Sequence, residues 1–256
     1  MDIDALVIER REGAVAWITL NRPDQMNTVT PDLFAALAAC VERARNDETV
    51  RCVVLTGAGR AFCAGRDLKA DPPPPAHSAG DWLERRVDYL RRSAAIAQSL
   101  HEMPKPTIAM INGACAGAGL SLAGACDLRI AASDAVMTSA FVKAGLSGDM
   151  GGTWFWSRIL GASKARRLYL MSERFRGEAA EAFGLVDRAV APELLGGVVA
   201  GIAQELSNCS ARALRFAKAS LNAAEDGNLE ATIEFEAMGM AMAGIDAAAA
   251  AGEIAG

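Results

Sequence analysis

Two stretches of this 256-residue chain gather small residues in a way that could do chemistry. Residues 61–69 read Ala-Phe-Cys-Ala-Gly-Arg-Asp-Leu-Lys, and residues 112–121 read Asn-Gly-Ala-Cys-Ala-Gly-Ala-Gly-Leu-Ser. Glycine lets a backbone approach a ligand closely or take a positive φ. The second stretch also opens a helix of small residues, and a helix N-terminus carries unpaired N–H groups with partial positive charge. Two such donors, one near Arg66 and one near Ala118, would form an oxyanion hole if they converged on one carbonyl oxygen. In comparable sites each donor is worth about 2.7–4 kcal/mol. Taken alone, either loop is equally well explained as a tight turn in close packing. Neither matches a P-loop, nor a G-x-G-x-x-G fingerprint set between strand and helix with a trailing acid, which argues against a nucleotide-phosphate cradle.

The surrounding elements must hold these loops. Residues 6–9 and 14–20 are β-rich and flank Gly13, which predicts a hairpin. Thr30-Pro31-Asp32 opens a helix with an N-cap, a proline at its first position and an acid in its first turn. Leu33, Leu37 and Val41 mark its buried stripe. The apolar run 52–55 predicts a buried strand leading into the first loop, and 107–111 a second one leading into the other. Asp71 and the four prolines 72–75 can be neither helix nor central strand. Asp81 is expected to cap a helix over 82–101. Strands are expected at 128–131 and 135–138, a helix from Gly151, then helices at 163–171, 178–183, 192–206, 210–224 and 229–243. This strand-strand-helix series points to an α/β chain wound as a spiral of small sheets rather than a doubly wound sheet. The division expected is a core of 1–192 and a helical C-terminal region of 193–256.

Composition narrows the function. A net charge of −5 argues against broad binding to nucleic acid or anionic membrane. No apolar run reaches the roughly 18–20 residues of a membrane span, and the acidic start Met1-Asp2-Ile3-Asp4 lacks the basic region of a signal peptide. Six cysteines without CxxC pairing and only two histidines, His77 and His101, make a zinc site improbable. The cysteines read as small reduced core residues of a cytoplasmic protein.

Several motifs occur in order: Asn21-Arg22-Pro23 with Asn27, the Ala-Phe-Cys-Ala-Gly-Arg-Asp-Leu loop, Lys105-Pro106 with Asn112-Gly113 and Gly117-Ala118-Gly119, Cys126-Asp127-Leu128-Arg129, and Gly151-Gly152-Thr153. Together, over about residues 5–225, the chain resembles the crotonase (enoyl-CoA hydratase/isomerase) superfamily. The resemblance implies a ββα-spiral core, a homotrimer or dimer of trimers assembled through 193–256, and an acyl-CoA thioester as ligand, with no cofactor beyond the coenzyme A of the substrate. It assigns the oxyanion donors to the N–H groups of Arg66 and Ala118. It places Arg22, Ala64, Arg66, Asp67, Leu68 and Lys69 along the CoA site, where Arg22, Arg66 and Lys69 would face phosphates unless they are ordinary surface charges. Beyond Lys218 the chain has no basic residue for a neighbour's CoA.

The same resemblance separates binding from chemistry. The family's hydratases use two glutamates, and here those positions are Ser121 and Phe141, which would line the substrate pocket but cannot supply the acid and base. Asp149 stands where several non-hydratase members carry an aspartate, and the loop around it is most similar to that of ring-modifying isomerases of the phenylacetyl-CoA route. One carboxylate can take a proton and return it further along the acyl chain if the dienolate oxygen is held. Asp149 as an ordinary helix cap is the plain alternative, and a nucleophilic role, as in the family's dehalogenase, is another. Asp67, Asp81, Glu84 and His101 read as structural or solvated, and Trp154 and Trp156 as packing or trimer-contact residues, with contact to the acyl pocket an alternative for Trp154. Three functions stay open: an isomerase-type proton shuttle, a hydratase with atypical acids, and a silent acyl-CoA binder.

Overall fold

A computed structural model describes residues 5–67 and 79–250. Leu68, Lys69, the prolines 72–75 and His77 lie outside the described residues. The chain opens with the hairpin expected around Gly13, β1 (Val7–Glu12) against β2 (Val15–Leu20), joined through a glycine at φ 56°. Helix α1 (Pro31–Asn46) begins at Thr30, whose hydroxyl accepts the Leu33 N–H at 3.3 Å. Leu33, Leu37 and Val41 are all buried.

Three strand-strand-helix turns follow. They are β3 (Cys52–Gly57), β4 (Ala61–Cys63) and α2 (Ala79–His101), then β5 (Thr107–Ile111), β6 (Ala114–Ala116) and α3 (Ala118–Gly124), then β7 (Leu128–Ala132), β8 (Val136–Thr138) and α4 (Gly152–Met171). In every turn the first strand joins one sheet and the second joins another. The large sheet runs β1-β2-β3-β5-β7-β10, with β10 at Arg188–Val190, and is parallel from β2 onward. The small sheet runs β4-β6-β8-β9, with β9 at Phe175–Arg176. This is the spiral expected from the sequence. The strands β3 and β5 are apolar along nearly their whole length because helices cover the faces of a parallel sheet.

Two sequence expectations need correction. The two glycine-rich stretches are not pure loops, since each contains a three-residue strand, β4 or β6. Asp81 is the third residue of α2 and so is not its N-cap. The two helices expected from Gly151 and at 163 both form, meeting at a break at Gly161, which has φ 75° and ψ 160°.

After α5 (Gly177–Phe183), helix α6 (Pro192–Asn208) lays Leu195, Val199 and Ala203 onto the large sheet; their spacing of four puts them on one face. Helices α7 (Ala211–Asp226) and α8 (Leu229–Ala250) pack on each other. Among the described residues no helix is long and apolar enough to cross a membrane.

Candidate active site

The motif side chains hold the two loops in place. Asn27 is fully buried at φ 54°; its amide donates to the Ala58 and Ala61 carbonyls at 2.9 and 2.7 Å, and its carbonyl accepts the Arg22 N–H at 2.8 Å. Asn112 donates to the Gly59 carbonyl at 2.9 Å and accepts the Gly57 N–H at 3.3 Å. The Lys105 ammonium donates to the Ala44, Arg45 and Asp47 carbonyls at the end of α1, satisfying groups that a helix terminus leaves open.

Residues 65–67 pair with residue 29 as one rung of parallel sheet. Val29 N–H donates to the Gly65 carbonyl at 2.8 Å, and Asp67 N–H to the Val29 carbonyl at 3.0 Å. In that pattern Arg66 itself turns its N–H away from residue 29. The second loop meets it from behind. Gly65, at φ 103°, lies so close that a Cβ there would be 3.1 Å from the Ala116 carbonyl oxygen and 3.8 Å from the Ala118 nitrogen. Ala118 is the first residue of α3, after Gly117 at φ 52° and ψ −121°, so its N–H belongs to the open first turn. The two backbones named from sequence as donors are therefore neighbours in space.

Asp149 comes to this place from the loop before α4. Its backbone neighbourhood is unusual, with φ 147° at Gly148, 54° at Met150 and 70° at Gly151. A left-handed non-glycine residue costs roughly 1–2 kcal/mol, and Met150, buried in the core, is held there by packing. The N-cap of α4 is Gly151, so Asp149 does not cap the helix. One oxygen of its carboxylate accepts the Met150 N–H at 2.9 Å. The other receives Arg66 Nη2 at 2.6 Å, in an ion pair whose side chains are 8% and 9% exposed. The Arg66 guanidinium also lies over the rings of Tyr89, at 5.0 Å, and Phe34, at 5.6 Å. Arg86 lies over Tyr89 too, and its pKa is lowered, first by burial and then by the charge of Arg66.

Ser121 is fully buried and its hydroxyl points back to the Gly117 carbonyl at 3.4 Å. Phe141 stacks on Tyr169 with ring centres 5.9 Å apart, and its edge lies 3.8 Å from where a Cβ on Gly117 would be. The Tyr169 hydroxyl is buried without a hydrogen bond of ordinary geometry. Burial raises its pKa to about 12; the nearby Ser121 hydroxyl opposes that rise and the charge of Asp149 adds to it.

Other residues singled out from sequence fall elsewhere. Arg22 donates to the Thr28 carbonyl at 2.6 Å and pairs with Asp67 at 3.5 Å. Ala64 donates its N–H to the Met26 carbonyl at 3.0 Å. His101 packs edge-on to Trp154 at 5.3 Å and pairs with Glu225 at 3.4 Å. A cleft of about 370 Å³ between α2, α4 and α7 is lined by His101, Trp154, Phe155, Met150 and Gly151, directly after Asp149. Trp156 is core, under Gly124. Sequence reasoning gave the Arg66 side chain to the CoA phosphates, whereas it turns inward to pair with Asp149, and it missed Tyr89 and Tyr169 altogether.

Residues 10–248 match the sequence model of the family described as enoyl-CoA hydratase/isomerase. The chain is 36% identical to the 1,2-epoxyphenylacetyl-CoA isomerase of Escherichia coli K12, over 90% of this chain and 87% of that one. It is 35% identical to the (E)-benzylidenesuccinyl-CoA hydratase of Thauera aromatica, over 84% and 82%. Among solved structures, an enoyl-CoA hydratase subunit from Geobacillus kaustophilus superposes with a TM-score of 0.84 at 32% identity, covering 93% of this chain and 89% of that one.

Proposed function

The chain belongs to the enoyl-CoA hydratase/isomerase family, the crotonases, and from that premise we propose that it is an isomerase-type member in which Asp149 shuttles a proton along an unsaturated acyl-CoA chain. The thioester oxygen is received by the N–H groups of Arg66 and Ala118. Asp149 removes a proton from the carbon chain, the freed electron pair moves through the conjugated system onto that oxygen, and the same carboxylic acid returns the proton to another carbon. The double bond is displaced and no water is consumed. Arg22, Asp67 and Lys69 belong to the coenzyme A end of the proposed site.

The observation that carries this reading is the nearly buried Asp149 carboxylate, tied at 2.6 Å to the residue whose backbone is the proposed oxyanion donor. Its support is twofold. The two positions that would bear hydratase glutamates hold Ser121 and Phe141, and a phenylalanine transfers no proton. The E. coli relative is named as an isomerase. The homotrimer implied by the family is part of the same proposal. Leu229, Ile233, Met238 and Met240 on α8 are exposed and offer apolar surface for it, and sedimentation of the full chain tests it.

Incubation with a panel of enoyl-CoAs in deuterated water is the deciding experiment. Turnover should displace the double bond, with deuterium entering the acyl chain to the extent that the Asp149 acid exchanges with solvent before returning its proton, and Asp149→Asn should lower the rate by roughly 10²–10⁴-fold while acyl-CoA binding persists. Unchanged turnover in Asp149→Asn would sink the reading. The relative named as a hydratase favours a second one, in which Asp149 activates water. Products heavier by one water in the same incubation would establish it, and a pure binder would take up no deuterium at all.

A further inference from the structure

The side chain of Arg66 is not accounted for by a donor role that belongs to its backbone. It is nearly buried, in contact with two aromatic rings, and paired with the one carboxylate assigned to proton transfer. Resting on the isomerase reading above, we propose that the Arg66 guanidinium is a counter-ion handed from Asp149 to the substrate enolate, so that Arg66 acts as a positioning residue through its side chain as well as an oxyanion donor through its N–H.

The charge count supports this. At rest the guanidinium (+1) and the Asp149 carboxylate (−1) sum to zero, and the bound thioester is neutral. When the C–H bond breaks, its proton goes to Asp149, which becomes neutral, and the electron pair ends on the thioester oxygen, which becomes −1. The guanidinium has lost one partner, and the new anion forms at the N–H of the same residue. The sum over the three groups is zero before and after. In a dry corner a charge left alone is expensive, since unit charges interact far more strongly there than in water. A fixed cation that serves both anions therefore lowers the cost of the step without moving. It also favours completion. Returning the proton to carbon quenches the enolate and restores the Arg66–Asp149 pair.

The geometry fits a fixed cation. Phe34 on α1 and Tyr89 on α2 hold the guanidinium in place. Residue 66 is anchored on its backbone by the rung to Val29. A side chain serving stability alone would be a poor choice here, because a buried ion pair is often no better than apolar packing of the same volume.

Arg66→Gln and Arg66→Lys keep the backbone donor and test the charge. Two quantities are measured: deuterium incorporation at saturating enoyl-CoA, and the affinity for a saturated acyl-CoA that cannot react. In Arg66→Gln, exchange should fall by roughly 100-fold while affinity changes by less than roughly 3-fold. Arg66→Lys, which keeps a cation but not the fork, should recover at least about a tenth of the wild-type rate. Wild-type exchange in Arg66→Gln overturns the inference. So does an equal loss of exchange and affinity that lysine does not recover, the pattern of a purely structural residue. If Arg66→Gln fails to fold, Arg66→Lys carries the test by itself: intact affinity with exchange below about a tenth of wild type overturns the inference, and exchange above that level supports it. Failure of the underlying reading is separately visible, because a wild-type protein that neither moves the double bond nor exchanges deuterium, or an Asp149→Asn variant that does either freely, removes it without any Arg66 variant.

Discussion

Single residues decide what the corner around Asp149 can hold. Gly152 is one of them. A Cβ there would lie 2.2 Å from Ser121 Oγ and 2.3 Å from the Tyr169 hydroxyl, so both hydroxyls press against the backbone that leads out of the Asp149 loop. Tyr169 thus closes the space beside Ser121 with a buried phenol, and that burial has a pH signature. Its pKa rises from 10.0 to about 12 on folding. The folded state then holds the phenolic proton more tightly than the unfolded state does. The resulting stabilisation is complete below pH 10 and is lost as pH climbs through about 12, with an upper bound of about 2.7 kcal/mol. Tyr169→Phe should therefore lose less stability than wild type between pH 8 and pH 11, measured by urea unfolding. Cys63 and Cys126, also raised to about 12 by burial, fall equally in both proteins and cancel. Parallel pH curves for the two proteins would refute the assignment. At this scale the sequence was half legible. Ser121, Phe141 and Asp149 could be found through the family resemblance, because the family's acids stand at fixed offsets from glycine motifs that this chain shares. The Arg66 side chain was misplaced toward phosphates, since its partner is 83 residues away and only the fold unites them.

Elements fix the distance between the two proposed donors, and the contact of α3 with β4 is the tightest point. A Cβ on Gly119 would sit 2.1 Å from the Cys63 carbonyl oxygen. That oxygen is backbone in a strand and has no rotamer by which to retreat. Gly119→Ala must push α3 away from β4, and with it Ala118 away from Arg66. Overpacking of this kind costs about 1–3 kcal/mol, and a misplacement near 1 Å can lower turnover about 100-fold. The expected result is a lower unfolding midpoint together with a loss of deuterium exchange larger than the loss of stability would explain. Gly196→Ala supplies the contrast, because nothing lies within 4 Å of a Cβ at that exposed position in α6. It should raise stability by about 0.5–1 kcal/mol and leave exchange alone. Equal behaviour of the two variants would show that the α3–β4 contact does not set the site. The long elements were legible because apolar periodicity and caps such as Thr30 are local signals. The strands β4 and β6 were not, since three residues inside a glycine-rich stretch carry no period. Asp81 misled because an acid suits the first turn of a helix as well as its cap.

At the scale of the whole molecule, the question is what ties the C-terminal helices to the spiral that holds the site. Helices α7 and α8 make their main contact with each other, and many large apolar residues on α8 face solvent. Yet one buried cation on α7 reaches into the core. The Lys218 ammonium donates at 2.8 Å to Asp127, and at 3.2 Å to the carbonyls of Leu100 and of Lys105. Asp127 in turn accepts the N–H and the hydroxyl of Thr107 at 2.7 and 2.9 Å. A lysine has three donors, and here all three are used. One side chain therefore links α7 to the end of α2, the start of β5 and the turn into β7. The Cys126-Asp127-Leu128-Arg129 motif, quoted from sequence as a family mark, is part of this joint: Arg129 likewise pairs with Asp187 at 3.1 Å and donates to the Cys126 carbonyl at 2.8 Å. From sequence Lys218 stood out only as the last basic residue of the chain, because a lysine on an amphipathic helix reads as solvated. Lys218→Met keeps the length and apolar stem but strands the Asp127 charge and two carbonyls. Breaking a fully buried pair costs about 3–5 kcal/mol. Asp127 is 28% exposed and keeps its Thr107 bonds, so a loss of about 2 kcal/mol is expected on denaturant unfolding. Adding Asp127→Asn removes the stranded charge, and the double variant should be more stable than the sum of the single losses predicts. Acyl-CoA exchange per folded molecule should be unchanged, because the joint lies in the scaffold and touches neither Arg66 nor Asp149. A Lys218→Met protein as stable as wild type would mean that α7 is held by its apolar contacts alone.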